Sequence, residues 1–94
     1  MKRIYKYELE ITDSQVIEMP IRADILSVQV QYGSPCIWVL VDDDLVKEPR
    51  TILTFGAWNA VLGVNKFIGT YQVESGQLVF HVFEPINEKE EVDK

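Results

Sequence analysis

Ile25-Leu26-Ser27-Val28-Gln29-Val30-Gln31-Tyr32-Gly33-Ser34-Pro35-Cys36-Ile37-Trp38-Val39-Leu40-Val41 decides the fold class. Its first half alternates apolar and polar residues with a period of two, which is the pattern of a half-buried strand. Leu26, Val28, Val30 and Tyr32 are expected to face inward, with Ser27, Gln29 and Gln31 facing out. Cys36 to Val41 is different, a continuous apolar run rich in Val and Ile. Its length and composition predict a central strand covered on both faces. Gly33-Ser34-Pro35 joins the two as the three-residue turn of a hairpin.

The same period extends outward on both sides. Arg3 to Ile11 alternates, with Tyr5, Tyr7, Leu9 and Ile11 on one face and Lys6, Glu8 and Glu10 on the other. Thr12-Asp13-Ser14 predicts a turn, and Gln15 to Met19 a short extended piece. Pro20 removes a ladder donor, so that piece belongs at an edge or a strand end. Downstream, Asp42-Asp43-Asp44 ends the central strand, and Leu45 to Arg50 reads as a charged connection. Thr51 to Phe55 is a further strand, closed by Gly56. Ala57 to Asn65 reads either as a loop or as a single helical turn. Lys66 to Val73 and Gln77 to Phe83 form a second hairpin about Glu74-Ser75-Gly76, with Gly76 at the position needing positive φ. The fold expected is all-β: a single small antiparallel β-sandwich or barrel of six to seven strands over residues 1–84. Residues 85–94 read as a short, charged, acidic C-terminal tail, frayed or helical only on contact.

Composition narrows the function classes. A chain of 94 residues is one domain. Its 47% hydrophobic content is that of a folded globule. No apolar run approaches the ~20 residues of a membrane helix. The net charge of −6 opposes direct binding to nucleic acid, which needs cations to meet phosphates. The single cysteine and single histidine exclude an internal disulfide and any multi-Cys or multi-His metal site. One thiol and no export signal at Met1–Tyr7 predict the cytoplasm.

Each candidate for chemistry has an ordinary structural explanation beside it. Asp42-Asp43-Asp44 offers hard oxygen ligands, but adjacent aspartates on an extended chain alternate in direction, and the spaced pattern of an EF-hand loop is absent. They read as a solvated strand end. His81 shares a strand face with Val79 and Phe83 and lacks a partner identifiable by spacing, so it reads as a packed or hydrogen-bonded residue and not a general base. Cys36 begins an apolar strand with nothing basic near it, the setting of an inert, buried thiol. Trp58 lies outside any clear strand, in a segment where aromatic side chains either plug a barrel end or carry recognition. Trp58 and Asn59, with Arg50, Lys47 and Arg22 gathered on the same rim, form the candidate ligand- or partner-binding site. No catalytic residue, metal ligand or cofactor is expected.

Three stretches carry a resemblance: Ile4-Tyr5-Lys6-Tyr7 with Ile17-Glu18-Met19-Pro20; Ile25 to Gln31 with Cys36-Ile37-Trp38; and Phe67-Ile68-Gly69-Thr70 with Leu78 to Glu84. Over residues 4–84 the chain resembles a family of small bacteriophage and prophage proteins with no assigned activity. Phe55-Gly56-Ala57-Trp58-Asn59 departs from that pattern, where a Gly-rich polar insertion follows Phe-Gly. The resemblance implies a phage accessory protein in the host cytoplasm, acting by binding. The leading expectation is a non-enzymatic host-interaction or anti-defence inhibitor of a host protein. The alternatives are a homo-oligomeric sponge for a nucleotide-derived signal, resting on the Trp58 rim, and a virion or assembly component. Unpaired sheet edges predict a homo-oligomer in each case, with no membrane partner.

Overall fold

The computed structural model describes residues 1–57 and 59–86. Seven strands alternate with short turns: β1 (Lys2–Glu8), β2 (Ser14–Pro20), β3 (Asp24–Gln31), β4 (Ser34–Asp42), β5 (Lys47–Gly56), β6 (Asn65–Val73) and β7 (Leu78–Pro85). They form two antiparallel sheets, one in the order β1-β4-β3 and the other β2-β5-β7-β6. The all-β class, the strand count and the antiparallel pairing are those expected. No helix among the described residues is long and apolar enough to cross a membrane.

The core lies between the sheets. Ile37, Val39 and Val41 from β4 meet Met19, Ile52 and Val82 from the facing sheet, all essentially without solvent contact. Alternation puts every second residue of β4 and of the middle of β5 into this layer. On β4 the outward-facing Trp38 and Leu40 are half-buried, so the central strand is fully covered on one face and partly on the other. Cys36 is buried between its cross-strand neighbours Glu8 and Gln29.

The first hairpin differs from its expected form in two ways. The turn is Tyr32-Gly33, with φ of 51° and 81°, and Gln31 pairs with Ser34. Two successive positive φ values make the type I′ turn, whose twist matches that of the strands. Ser34 and Pro35 therefore belong to β4, and Tyr32 is 97% exposed. A bulge between Ile25 and Ser27 then shifts the register by one residue. It turns Ile25 inward and leaves Leu26 46% exposed, while Val28 stays buried. One inserted residue exchanges the faces of everything on one side of it.

The remaining boundaries and faces follow from the pairing. Lys47 to Arg50 is strand, not a connection, and extends β5 past Pro49. The bonds Ile21 N–H to Val46 O and Thr54 N–H to Asp13 O show that β2 bonds β5 through its odd-numbered residues. Pro49 and Pro20 both fall at the positions that owe β2–β5 no N–H, so the ladder tolerates them. Tyr5 and Ile11 are exposed, because β1 is an edge strand that pairs with β4 alone and only Tyr7 and Leu9 reach the core. Residues 59–64 form no helix. Gly76 does take positive φ, at 87°, in a turn where Glu74 and Ser75 are also left-handed. β7 runs on to Pro85, and the Ile86 N–H bonds Val64 O; the remainder of the tail expected from residue 85 lies outside the described residues.

One corner of the sandwich is closed by contact. β6 passes so near β3 that a Cβ on Gly69 would stand 2.7 Å from Val28 Cγ1. β3 and β6, each the edge of its own sheet, cover one another there.

Candidate functional site

β5 runs the length of its sheet, so residues near its two ends cannot share a rim. Arg50 and Gly56 are separated by about 20 Å of extended chain. The structure accordingly divides the expected rim. Arg22 and Arg50 line one open groove of about 710 Å³, together with Glu48, Glu84 and Lys66. Lys47 lies at the start of β5, paired with Pro20. Asn59 lies at the opposite end, bonded through its N–H to Gly56 O, and lines a smaller cavity of about 360 Å³ with Asp13, Ser14, Leu53, Thr54 and Phe55. Trp58 lies outside the described residues.

One of the groove's three cations, Arg50, is already engaged. Arg50 donates through Nε and Nη2 to the two carboxylate oxygens of Glu84, and through Nη1 to Ala23 O at 3.0 Å. This fork-on-fork pairing is the strong geometry for arginine. The Glu84 carboxylate holds the Arg50 pKa above its usual value against the opposing effect of burial. Arg50 thus ties β5 to β7 and reaches across to the other sheet ahead of β3. Arg22, held at φ 64°, and Lys66 remain exposed, with Glu48 beside them.

The three aspartates do converge, contrary to the alternation argument. β4 ends at Asp42 and a turn follows, so strand alternation no longer governs their direction. Their carboxylates come within 4.8 Å of one another. The charge they hold is the Met1 ammonium, at 2.6 Å from Asp44, 3.1 Å from Asp42 and 3.3 Å from Asp43, with Arg3 on Asp43. Hydrogen bonds to Asp44 and then Asp42 push the Met1 amine up to about 10. Asp43 lies below the usual carboxylate range because Arg3 donates to it, and Asp42 because the Asp44 N–H does.

The feature that sequence reasoning missed is the outer face of the four-stranded sheet. Buried Ile52, Thr54 and Val82 face the core, so Leu53, Phe55, His81 and Phe83 face away. Leu53, Phe83 and Phe67 form one cross-strand row, and Phe55, His81 and Thr70 the next. Phe83 meets Phe55 and Phe67 edge to face, at centroid distances of 5.6 and 5.3 Å. Phe67 is nevertheless 55% exposed. Val16 on β2 is exposed too, at a residue number of the same outward parity as Ser14, which pairs with Leu53. The alternation of β5, β6 and β7 carried this signal, but three aromatics on separate strands become one cluster only once the strand order is known.

His81 sits in the middle of this face, with Nδ1 2.8 Å from Thr70 Oγ1. The pair is a directly opposed cross-strand pair. A hydroxyl next to an imidazole is half of a nucleophile–base arrangement; a third group to orient the ring and a donor pair for a developing oxyanion complete it. Nothing among the described residues hydrogen-bonds the second ring nitrogen. The arrangement as it stands offers a polar anchor within an aromatic surface, which suits recognition.

No curated protein and no solved structure matches the chain. The domain of unknown function DUF7352 matches residues 1–93. Two small antiparallel sheets, an aromatic outer face and a salt-bridged groove are therefore the features of a DUF7352 domain, the family to which this chain belongs.

Proposed function

We propose that this protein acts by binding, as a phage or prophage accessory protein that docks on a host protein through the outer face of its four-stranded sheet. The observation that carries the reading is the Phe55–Phe83–Phe67 cluster, held edge to face and left open to solvent at Phe67. Exposed aromatics grouped around a few polar groups are what protein interfaces are built from. The resemblance of residues 4–84 to phage proteins supports the setting. The net charge of −6 speaks for a protein partner over nucleic acid. Arg50's bonds to Glu84 and Ala23 weaken the nucleotide-sponge alternative, since its guanidinium already has its acceptors.

The test is affinity capture from host lysate at low salt, comparing the parent with Phe67→Glu and with Gln29→Glu on the opposite sheet. The reading expects a protein retained by the parent and by Gln29→Glu but lost with Phe67→Glu. Retention unchanged by Phe67→Glu, or no retained protein at all, overturns it. Calorimetric heat with cyclic or ADP-ribose-type nucleotides would move the assignment to the sponge.

A further inference from the structure

β4 is the only strand hydrogen-bonded to β1, among the described residues. Two bonds fix which way its backbone points. Leu9 N–H donates to Pro35 O at 2.8 Å, and Asp43 N–H to Met1 O at 3.1 Å. Both lie in the register that pairs Tyr5 with Val39. Odd-numbered residues of β1 therefore turn their N–H and C=O groups to β4. Lys2, Ile4, Lys6 and Glu8 turn theirs to the open edge. The edge is seven residues long, contains no proline and leaves Ile4 62% exposed.

We infer that this edge pairs with the same edge of a second copy, antiparallel about a two-fold axis at Tyr5. The chemistry of Lys2-Arg3-Ile4-Tyr5-Lys6-Tyr7-Glu8 selects that register. Centring on Tyr5 places Lys2 opposite Glu8 of the other copy, and Ile4 opposite Lys6, whose aliphatic stem can cover it. These are even-numbered residues, so the groups left open meet one another and about eight backbone bonds form. Centring on Ile4 would put Lys2 opposite Lys6. Centring on Lys6 would put Lys6 opposite Lys6. Like charges directly opposed in a ladder destabilise it, whereas opposite charges support it. The Tyr5 axis alone among the three avoids that clash and gains two Lys2–Glu8 pairs. The lysines that guard the edge against other strands thus become the means of choosing its own copy. The product is a continuous six-stranded sheet. It involves β1 only and leaves the aromatic face of the other sheet open, so it stands or falls separately from the partner proposal.

An edge-to-edge contact of this length belongs to the small class of interface, below about 1,200 Å². The dimer should therefore dissociate on dilution. Sedimentation of the parent up to about 1 mM should show mass rising from monomer to dimer. Ile4→Pro removes an N–H that points to the open edge and spares every bond to β4; it should sediment as a monomer with an unchanged far-ultraviolet spectrum. Glu8→Lys should weaken the dimer, and Lys2→Glu added to it should restore it. Opposed Tyr5 residues form a non-hydrogen-bonded pair with Cα atoms about 4.5 Å apart, within disulfide reach. Tyr5→Cys should thus oxidise to a covalent dimer, while Ile4→Cys and the parent, whose Cys36 is buried, should not. A parent that stays monomeric throughout, a dimer that survives Ile4→Pro, or equal cross-linking at positions 4 and 5 overturns the inference.

Discussion

Replacing Gly69 by alanine tests the closed corner of the sandwich. In an open strand the change would help, because alanine loses less backbone entropy than glycine, by about 0.5–1 kcal/mol. Here the added methyl would stand 2.7 Å from Val28 Cγ1 and 3.7 Å from the Val28 backbone nitrogen. Val28 is buried and β-branched, so it has little freedom to rotate away. Overpacking of this kind costs about 1–3 kcal/mol, and the clash outweighs the entropy gain. A net loss of about 1–2 kcal/mol is expected, and for a domain of this size that lowers Tm by roughly 5–15 °C. Urea denaturation followed by tryptophan fluorescence reads the loss. Val28→Ala alone should also destabilise, through the cavity it opens. In the double variant the new methyl occupies part of that cavity, so the two losses should sum to at least 1 kcal/mol more than the measured one. A Gly69→Ala variant within about 0.5 kcal/mol of the parent, or strictly additive losses, would refute the close approach of β6 to β3.

The remaining predictions concern polar groups. Thr54 and Tyr71 are 5% and 3% exposed, and neither hydroxyl has a hydrogen-bond partner among the described residues. Thr54→Val and Tyr71→Phe should each raise stability by up to about 1 kcal/mol, since an orphaned buried hydroxyl costs more than its absence; a loss above 1 kcal/mol in chemical denaturation would argue that the hydroxyl is satisfied. Arg50→Ala strands the half-buried Glu84 carboxylate and the Ala23 carbonyl and should cost about 2 kcal/mol, with Arg50→Lys intermediate because lysine cannot bond both oxygens in parallel; thermal melts order the three chains. The Asp43 and Asp42 carboxyls titrate below their unfolded values. Their contribution is complete above about pH 4 and disappears as pH falls through the depressed folded values. Arg3→Gln should move the Asp43 carboxyl resonance midpoint upward in an NMR titration, and an unchanged midpoint would remove Arg3 as its cause.

Alternation along the chain was enough to establish the fold class, the strand count within one, the second hairpin and the left-handed Gly76. These are local properties: period two, turn chemistry and the φ demands of single residues act over a few positions. Burial of Ile37, Val39 and Val41 was legible for the same reason, since a continuous apolar run has to be covered. The sides of Leu26 and Tyr32 were not: one bulged residue reverses a strand's faces and leaves no mark in the alternation, and Tyr32 belongs to the turn and not to the strand. The Lys47–Arg50 strand was hidden by its charges and Pro49, which the ladder accepts only because the missing N–H falls between its bonds. Exposure of Tyr5 followed from β1 lying at an edge, a consequence of strand order. The sites depended on tertiary structure most of all. Asn59 looks like part of one rim with Arg22 and Arg50 until β5 is seen to separate it from them, and Phe55, Phe67, Phe83, Thr70 and His81 come from three strands that only the β5-β7-β6 order brings together. Sequence determines which face of a strand is apolar; pairing between distant segments determines which of those faces become one surface.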